Sequence, residues 1–149
     1  MLSVVPKNGP DGRLQLHAST IVISNQAVAF VGPSGSGKSG HALEMMARGA
    51  RLLADDITWF EAKETVIMAS CPPSLSGQIE ARGLGILNAE PAPPAPLSLI
   101  VDLGTPEQDR LPPRRTTQIL QQSIPLLHKS DTPHFIASII HYIAHGRIG

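Results

Sequence analysis

The sequence predicts an α/β domain in which a mixed β-sheet is flanked by helices and built around a phosphate-binding loop. Three observations carry that prediction. Residues 32–39 read Gly32-Pro33-Ser34-Gly35-Ser36-Gly37-Lys38-Ser39, a complete G-x-x-x-x-G-K-S run. The apolar stretch 26–31 before it suits a buried strand, and residues 41–48 after it are largely helix formers. Several hairpin-like pairs of apolar stretches surround this strand–loop–helix unit, so the sheet should be mixed rather than fully parallel.

The elements follow in order. Residues 14–24 alternate enough to be extended, with Asn25-Gln26 as the turn into the next strand. A helix from about Gly37 to Arg48 should end at Gly49, which suits a left-handed cap. Residues 51–54 form a short strand that delivers Asp55-Asp56 at its end. Stretches 57–60 and 65–69 flank the polar turn 61–64 as a second hairpin, which Pro72-Pro73 stops. The run Pro91-Ala92-Pro93-Pro94-Ala95-Pro96 excludes helix and central strand and reads as an exposed extended loop. Residues 97–101 are a strong buried strand, and Pro112-Pro113-Arg114-Arg115 is a loop. Residues 135–143 form a closing helix, with Asp131 or Thr132 as its cap and Pro133 at its first position.

At 149 residues the chain is sized for one domain with one proper core. Its 12 basic and 12 acidic residues balance, so no basic field points to nucleic acid or an anionic membrane. Aromatic content of 3% argues against base-stacking platforms. The single Cys71 has no internal disulfide partner and no metal-ligand spacing around it. Neither a signal peptide nor an apolar run of membrane-spanning length is visible, so a cytoplasmic location is expected. His141 and His145 share a helix face but lack a third ligand for zinc.

The loop at 32–39 carries the chemistry. Glycines let the backbone wrap an anion, so that consecutive N–H groups point at phosphate oxygens. The following helix adds its positive dipole end. Lys38 would reach the β- and γ-phosphates, and the Ser39 hydroxyl would ligate magnesium, so ATP with Mg2+ is the expected ligand. A second acid at a strand end should complete the metal site. Asp102, after the hydrophobic run 97–101, and Asp55-Asp56, after residues 52–54, both qualify. Adjacent acids raise one another's cost of ionisation, so one of such a pair can accept a proton while the other stays charged. Spacing alone leaves both open, with Asp102 slightly ahead. Asp102 would suit a generic small-molecule kinase or NTPase; a nucleotide-sensing module without catalysis is a third reading.

Lys38-Ser39, Ala42-Leu43-Glu44, Arg48-Gly49, Arg51-Leu52 and Ala54-Asp55-Asp56 together resemble one block of the HPr kinase/phosphorylase family. Glu80-Ala81-Arg82-Gly83-Leu84-Gly85-Ile86-Leu87-Asn88 is similar to that family's E-x-R-G-L-G-I-hydrophobic-[ND] signature, in the order and at the separation the family keeps. The resemblance covers residues 14–111 and continues only in outline beyond them. His17, 21 positions before Lys38, matches the histidine that the family places on the strand leading into the site.

The resemblance implies a PEP carboxykinase-like phosphate-loop core, here the short form in which residues 1–149 are the catalytic domain alone. It implies that Lys38 and the loop amides bind ATP phosphates and that Ser39 and Glu80 coordinate magnesium. Asp56, with Asp55 beside it, would take the proton from a serine hydroxyl of the phosphocarrier protein HPr. The same acid would return a proton when inorganic phosphate attacks phosphoserine in the reverse reaction. Arg82 and Gly83 would shape the loop facing the acceptor. Asp109-Arg110-Leu111 is similar to the family's D-R-L-G, which would make Arg110 a stabiliser of charge on the transferred phosphoryl group. Hexameric assembly is implied as well. Two departures stand out: Gly40-His41 replaces the family's usual Glu-Thr, and residues 128–135 lack the arginines of its P-V-R-P-G-R-N-like loop. That loop is linked in the family to dephosphorylation, so the resemblance carries the forward reaction first.

Overall fold

A computed structural model describes all residues 1–149. The chain runs β1 (Lys7–Asn8), β2 (Leu14–Ile23), β3 (Gln26–Val31), α1 (Lys38–Ala47), β4 (Arg51–Ala54), β5 (Ile57–Lys63), β6 (Val66–Ser70), β7 (Gln78–Ala81), β8 (Gly85–Asn88), β9 (Ala95–Pro106), β10 (Arg115–Ile119), β11 (Gln122–Lys129) and α2 (Phe135–His145). Nine strands form one mixed sheet, and β7–β8 is a separate hairpin. Strand β9 runs parallel to β3 and to β11; the other pairs are antiparallel. No helix is long and apolar enough to cross a membrane.

Two long strands each serve two neighbourhoods. The first part of β2, Leu14 to His17, pairs with β5, while Ala18 to Ile23 pairs with β3 and, on the other side, β4. The start of β9 pairs with β6, and its middle lies between β3 and β11. The sheet therefore folds over on itself. One core sits between its two parts, with Leu16, Phe60, Ile67, Ile100 and Leu126. The second lies under the helices, with Phe30, Met45, Leu99, Val101, Ile136 and Ile139. In β3, Ala27, Ala29 and Val31 fill the first core while Val28 and Phe30 fill the second. Burial on both faces is why this stretch reads as a continuous apolar run.

Several expected boundaries shift. The first hairpin turns at Ser24-Asn25 rather than Asn25-Gln26, with φ of 51° and 60° at the two residues, a twist that matches the flanking strands. The second hairpin extends to Lys63 and Val66, leaving Glu64-Thr65 as its turn. The helix at 38–47 ends as expected: Gly49 has φ of 105°, and the Gly49 and Ala50 amides donate to the Met46 and Met45 carbonyls. The proline run is tied down rather than free, because the Ala92 amide donates to the Leu52 carbonyl at 2.7 Å and its last two residues, Ala95 and Pro96, already belong to the long β9. Neither Asp131 nor Thr132 caps α2; the N-cap is His134, without a side-chain cap bond, and the Thr132 carbonyl accepts the Phe135 amide. The β10–β11 hairpin turns through Leu120-Gln121, both at positive φ, without the glycine or asparagine that announces such turns.

The segment after β9 has its own anchor. Glu107, whose side chain is 10% exposed, accepts from the Gln108 and Asp109 amides and pairs with Arg115. Burial would push this carboxyl up, but the Arg115 hydrogen bond, the two amides and the Arg115 charge outweigh it and hold it below the ordinary carboxylate range. A lowered folded value means stability that is present above the ordinary glutamate range and lost as pH falls through the folded value. As pH falls through and below the ordinary glutamate range, the melting temperature of the native chain should therefore fall more steeply than that of Glu107→Gln, measured by calorimetry. In the helix-side core, Phe30→Ala should lower unfolding free energy by about 3–5 kcal/mol in urea titrations.

Candidate active site

The phosphate loop leaves the buried end of β3 and enters α1. At Gly37 the backbone has φ of 100°, and a Cβ at Gly32 would sit 2.5 Å from the Ser36 hydroxyl oxygen. Both positions therefore require glycine, and the loop closes tightly on itself. The Lys38 ammonium donates to the carbonyls of Gly32 at 2.9 Å and Pro33 at 3.2 Å, which holds a positive charge within the loop's curve.

Asp55 is the junction of the site. Its Oδ1 accepts from the hydroxyls of Ser19 on β2 and Ser39 on α1, both at 2.7 Å, and its Oδ2 accepts the Glu80 amide of β7 at 3.0 Å. Asp56 follows in the turn between β4 and β5 with φ of 71°. Regular strand geometry would send adjacent side chains to opposite faces. The left-handed residue breaks that alternation, and both carboxylates line the same cleft. Because β4 and β5 both pair with β2, the turn comes to rest beside His17, whose Nδ1 lies 3.4 Å from Asp56 Oδ1. A buried hydroxyl pair, Thr20 and Thr58 at 2.9 Å, fixes β2 to β5 next to this point.

The β7–β8 hairpin forms the opposite wall. Buried Ile79 docks it in the helix-side core; Glu80 on β7 and Arg82 in the turn at Gly83, φ of 86°, line the cleft. The cleft measures about 860 Å3. It gathers His17, Lys38, Ser39, Asp55, Asp56, Glu80 and Arg82 with Gly32, Pro33, Ser34, Gly35 and Gly37. Of the expected site residues, Ser36 sits beneath the loop, with its hydroxyl buried, and Arg110 lies on the exposed segment after β9, outside the cleft lining. Oxygen donors from a hydroxyl and nearby carboxylates are the ligand set that suits magnesium, so Ser39, with Asp55 and Glu80 close by, fits that ion.

Asp102 does something else. It is fully buried and accepts from the Ser3 amide at 2.7 Å, the Ser3 hydroxyl and the Gly104 amide at 2.9 Å. It does not line the cleft, and its hydrogen bonds tie it to the N-terminal segment, so the structure does not favour the reading that made it the metal acid. Ser19 and Val4 are among the lining residues that escaped the sequence reading. Ser19 was detectable, since a strand places it two positions from His17 on the same face. Val4, which also lines the cleft, carries no local signal because the N-terminal segment arrives there through tertiary packing.

The comparisons with known proteins agree with this geometry. The sequence profile of the HPr Serine kinase C-terminal domain matches residues 12–92, just over half of the chain. The HPr kinase/phosphorylases of Xanthomonas campestris pv. campestris (strain B100) and Xanthomonas oryzae pv. oryzae (strain PXO99A) are each 43% identical over 77 residues. That match covers 51% of this chain and 24% of each relative, so the chain spans about a quarter of their length. The fold is similar to that of the Hpr(Ser) kinase/phosphatase from Coxiella burnetii, with a TM-score of 0.73 and 22% identity, covering 87% of this chain and 88% of that one. With the loop, the paired acids and the signature hairpin all inside the matched segment, the chain belongs to the family of the HPr Serine kinase C-terminal domain.

Proposed function

We propose that this chain is an ATP- and magnesium-dependent protein kinase that phosphorylates a serine of HPr. The observation that carries the reading is the placement of Asp55 and Asp56 against the phosphate loop: one acid is tied to Ser39, and its neighbour stands free beside His17. Magnesium, when bound at Ser39 and Glu80, would neutralise charge on the triphosphate oxygens. Lys38 and the loop amides would hold the β- and γ-phosphates in line for transfer.

Asp56 would take the proton of the acceptor hydroxyl as its oxygen bonds to the γ-phosphorus and the bond to the β–γ bridging oxygen breaks, leaving ADP. Afterwards the proton passes to water. His17, beside the carboxylate, supports its orientation. The side chains of His17 and Asp56 are 52% and 70% exposed, so the base stands at the mouth of the cleft rather than on its floor. A serine on the surface of a folded protein can reach such a base, and that supports a macromolecular acceptor over a small enclosed one. In phosphorolysis an oxygen of inorganic phosphate would bond to the phosphoserine phosphorus as the bond to the serine oxygen breaks, leaving pyrophosphate, and the protonated Asp56 would return its proton to that serine oxygen. Hexameric assembly and action in the cytoplasm, where HPr and ATP meet, belong to the same reading.

Two outcomes test it. With labelled ATP and purified HPr, label should appear on serine, and Asp56→Asn should slow transfer by about 100-fold or more while ATP affinity stays within a few-fold. Normal serine labelling by that variant, or nucleotide binding without any transfer by the native chain, would refute the assignment. Ser39→Ala should weaken magnesium affinity in the nucleotide complex by about 10- to 100-fold, measured by titrating the metal against bound ATP.

A further inference from the structure

We propose that residues 2–5 are a working part of the phosphate site: a strap, latched by Ser3 onto Asp102, that holds the Gly32–Pro33 corner of the loop in position. Asp102 is buried, and none of the chain's ion pairs includes it. A carboxylate out of water needs donors, and two of its three come from Ser3, one from the amide and one from the hydroxyl. The latch is therefore the main compensation for a charge that β9 buries behind the loop.

The contact continues into the loop itself. A Cβ built on Gly104 would fall 2.2 Å from the Ser3 hydroxyl oxygen, 2.6 Å from Ser3 Cβ and 2.8 Å from Pro33 Cδ. Strap, strand end and phosphate loop thus meet at one glycine, whose φ lies outside the left-handed region, so space alone demands it. A Cβ on Gly32 would come within 3.3 Å of the Gly104 amide, so the same glycine backs both residues of the corner. Those two residues supply the carbonyls that hold the Lys38 ammonium. On its other side the strap puts Val4 into the cleft wall, while Leu2 and Val4 pack on the core between the sheet's two parts. A displaced strap would free Gly32–Pro33 and let the lysine move. Asp102 and Ser3 are in this sense positioning residues for the nucleotide, an inference that rests on the loop's reading as a nucleotide site.

The test uses the full chain with Ser3→Ala and Gly104→Ala, reading MgADP affinity by calorimetry and amide hydrogen exchange along the backbone. Each variant should bind MgADP about tenfold more weakly, the scale of one hydrogen bond to a charged group. Exchange should speed up at residues 32–39 while the buried β3 and β9 amides keep their protection. Unchanged exchange at residues 32–39 with native affinity would overturn the proposal, and so would protection lost evenly along the whole chain. A native chain that binds no MgADP defeats the kinase reading alone, since the exchange comparison still decides the strap.

Discussion

One carboxylate joins what the chain keeps apart. Asp55 accepts hydrogen bonds from residues on β2, α1 and β7, which lie 36, 16 and 25 positions away in sequence. Hydrogen bonds to an ionised acceptor are stronger than neutral ones, and three on a single acid leave it little freedom. The phosphate loop's serine, the strand that carries His17 and the signature hairpin are therefore held in fixed relation before any substrate arrives. Preorganisation of that kind is what lets charged groups act without the cost of rearranging at the moment of transfer.

The sheet is arranged to make that junction possible. Because β2 pairs with both β4 and β5, the turn between those two strands is anchored at each end, and a left-handed Asp56 is tolerated within it. Strained backbone of this sort persists only where the surroundings over-determine it. Here two ladders and the Thr20–Thr58 pair supply that constraint. Parallel neighbours β3 and β9 then bring the phosphate loop and the end of β9 side by side, so that Val31 and Asp102 are partners in register.

That register also explains why two acids, similar in their local sequence, have different fates. Asp102 and Asp55 each follow a short apolar run. Asp102 ends a strand segment that is covered, and the N-terminal segment packs over it. Asp55 ends an edge of the central sheet facing the hairpin β7–β8, where the chain leaves a cleft open. Covering converts the first into a structural acceptor; the second keeps its place on the wall of the cleft.

Short-range chemistry was legible from the residues: the G-x-x-x-x-G-K-S loop, the helix stopped by Gly49, the buried run of β3 and the paired acids after β4 all depend on neighbours within a few positions. The β10–β11 hairpin, the His134 start of α2 and the tethered proline run were not, because there the local signals are weak and distant partners decide. Arg110, expected at the phosphoryl group, stands on a segment anchored by Glu107 and Arg115 and lies outside the cleft lining. The amino-acid sequence alone determined that the chain makes a phosphate loop beside a strand-end acid, since glycine conformations and apolar periodicity are local. Which acid faces that loop, and which is sealed beneath Ser3, only the tertiary structure decided, because burial is a property of the packed chain and not of any stretch of it.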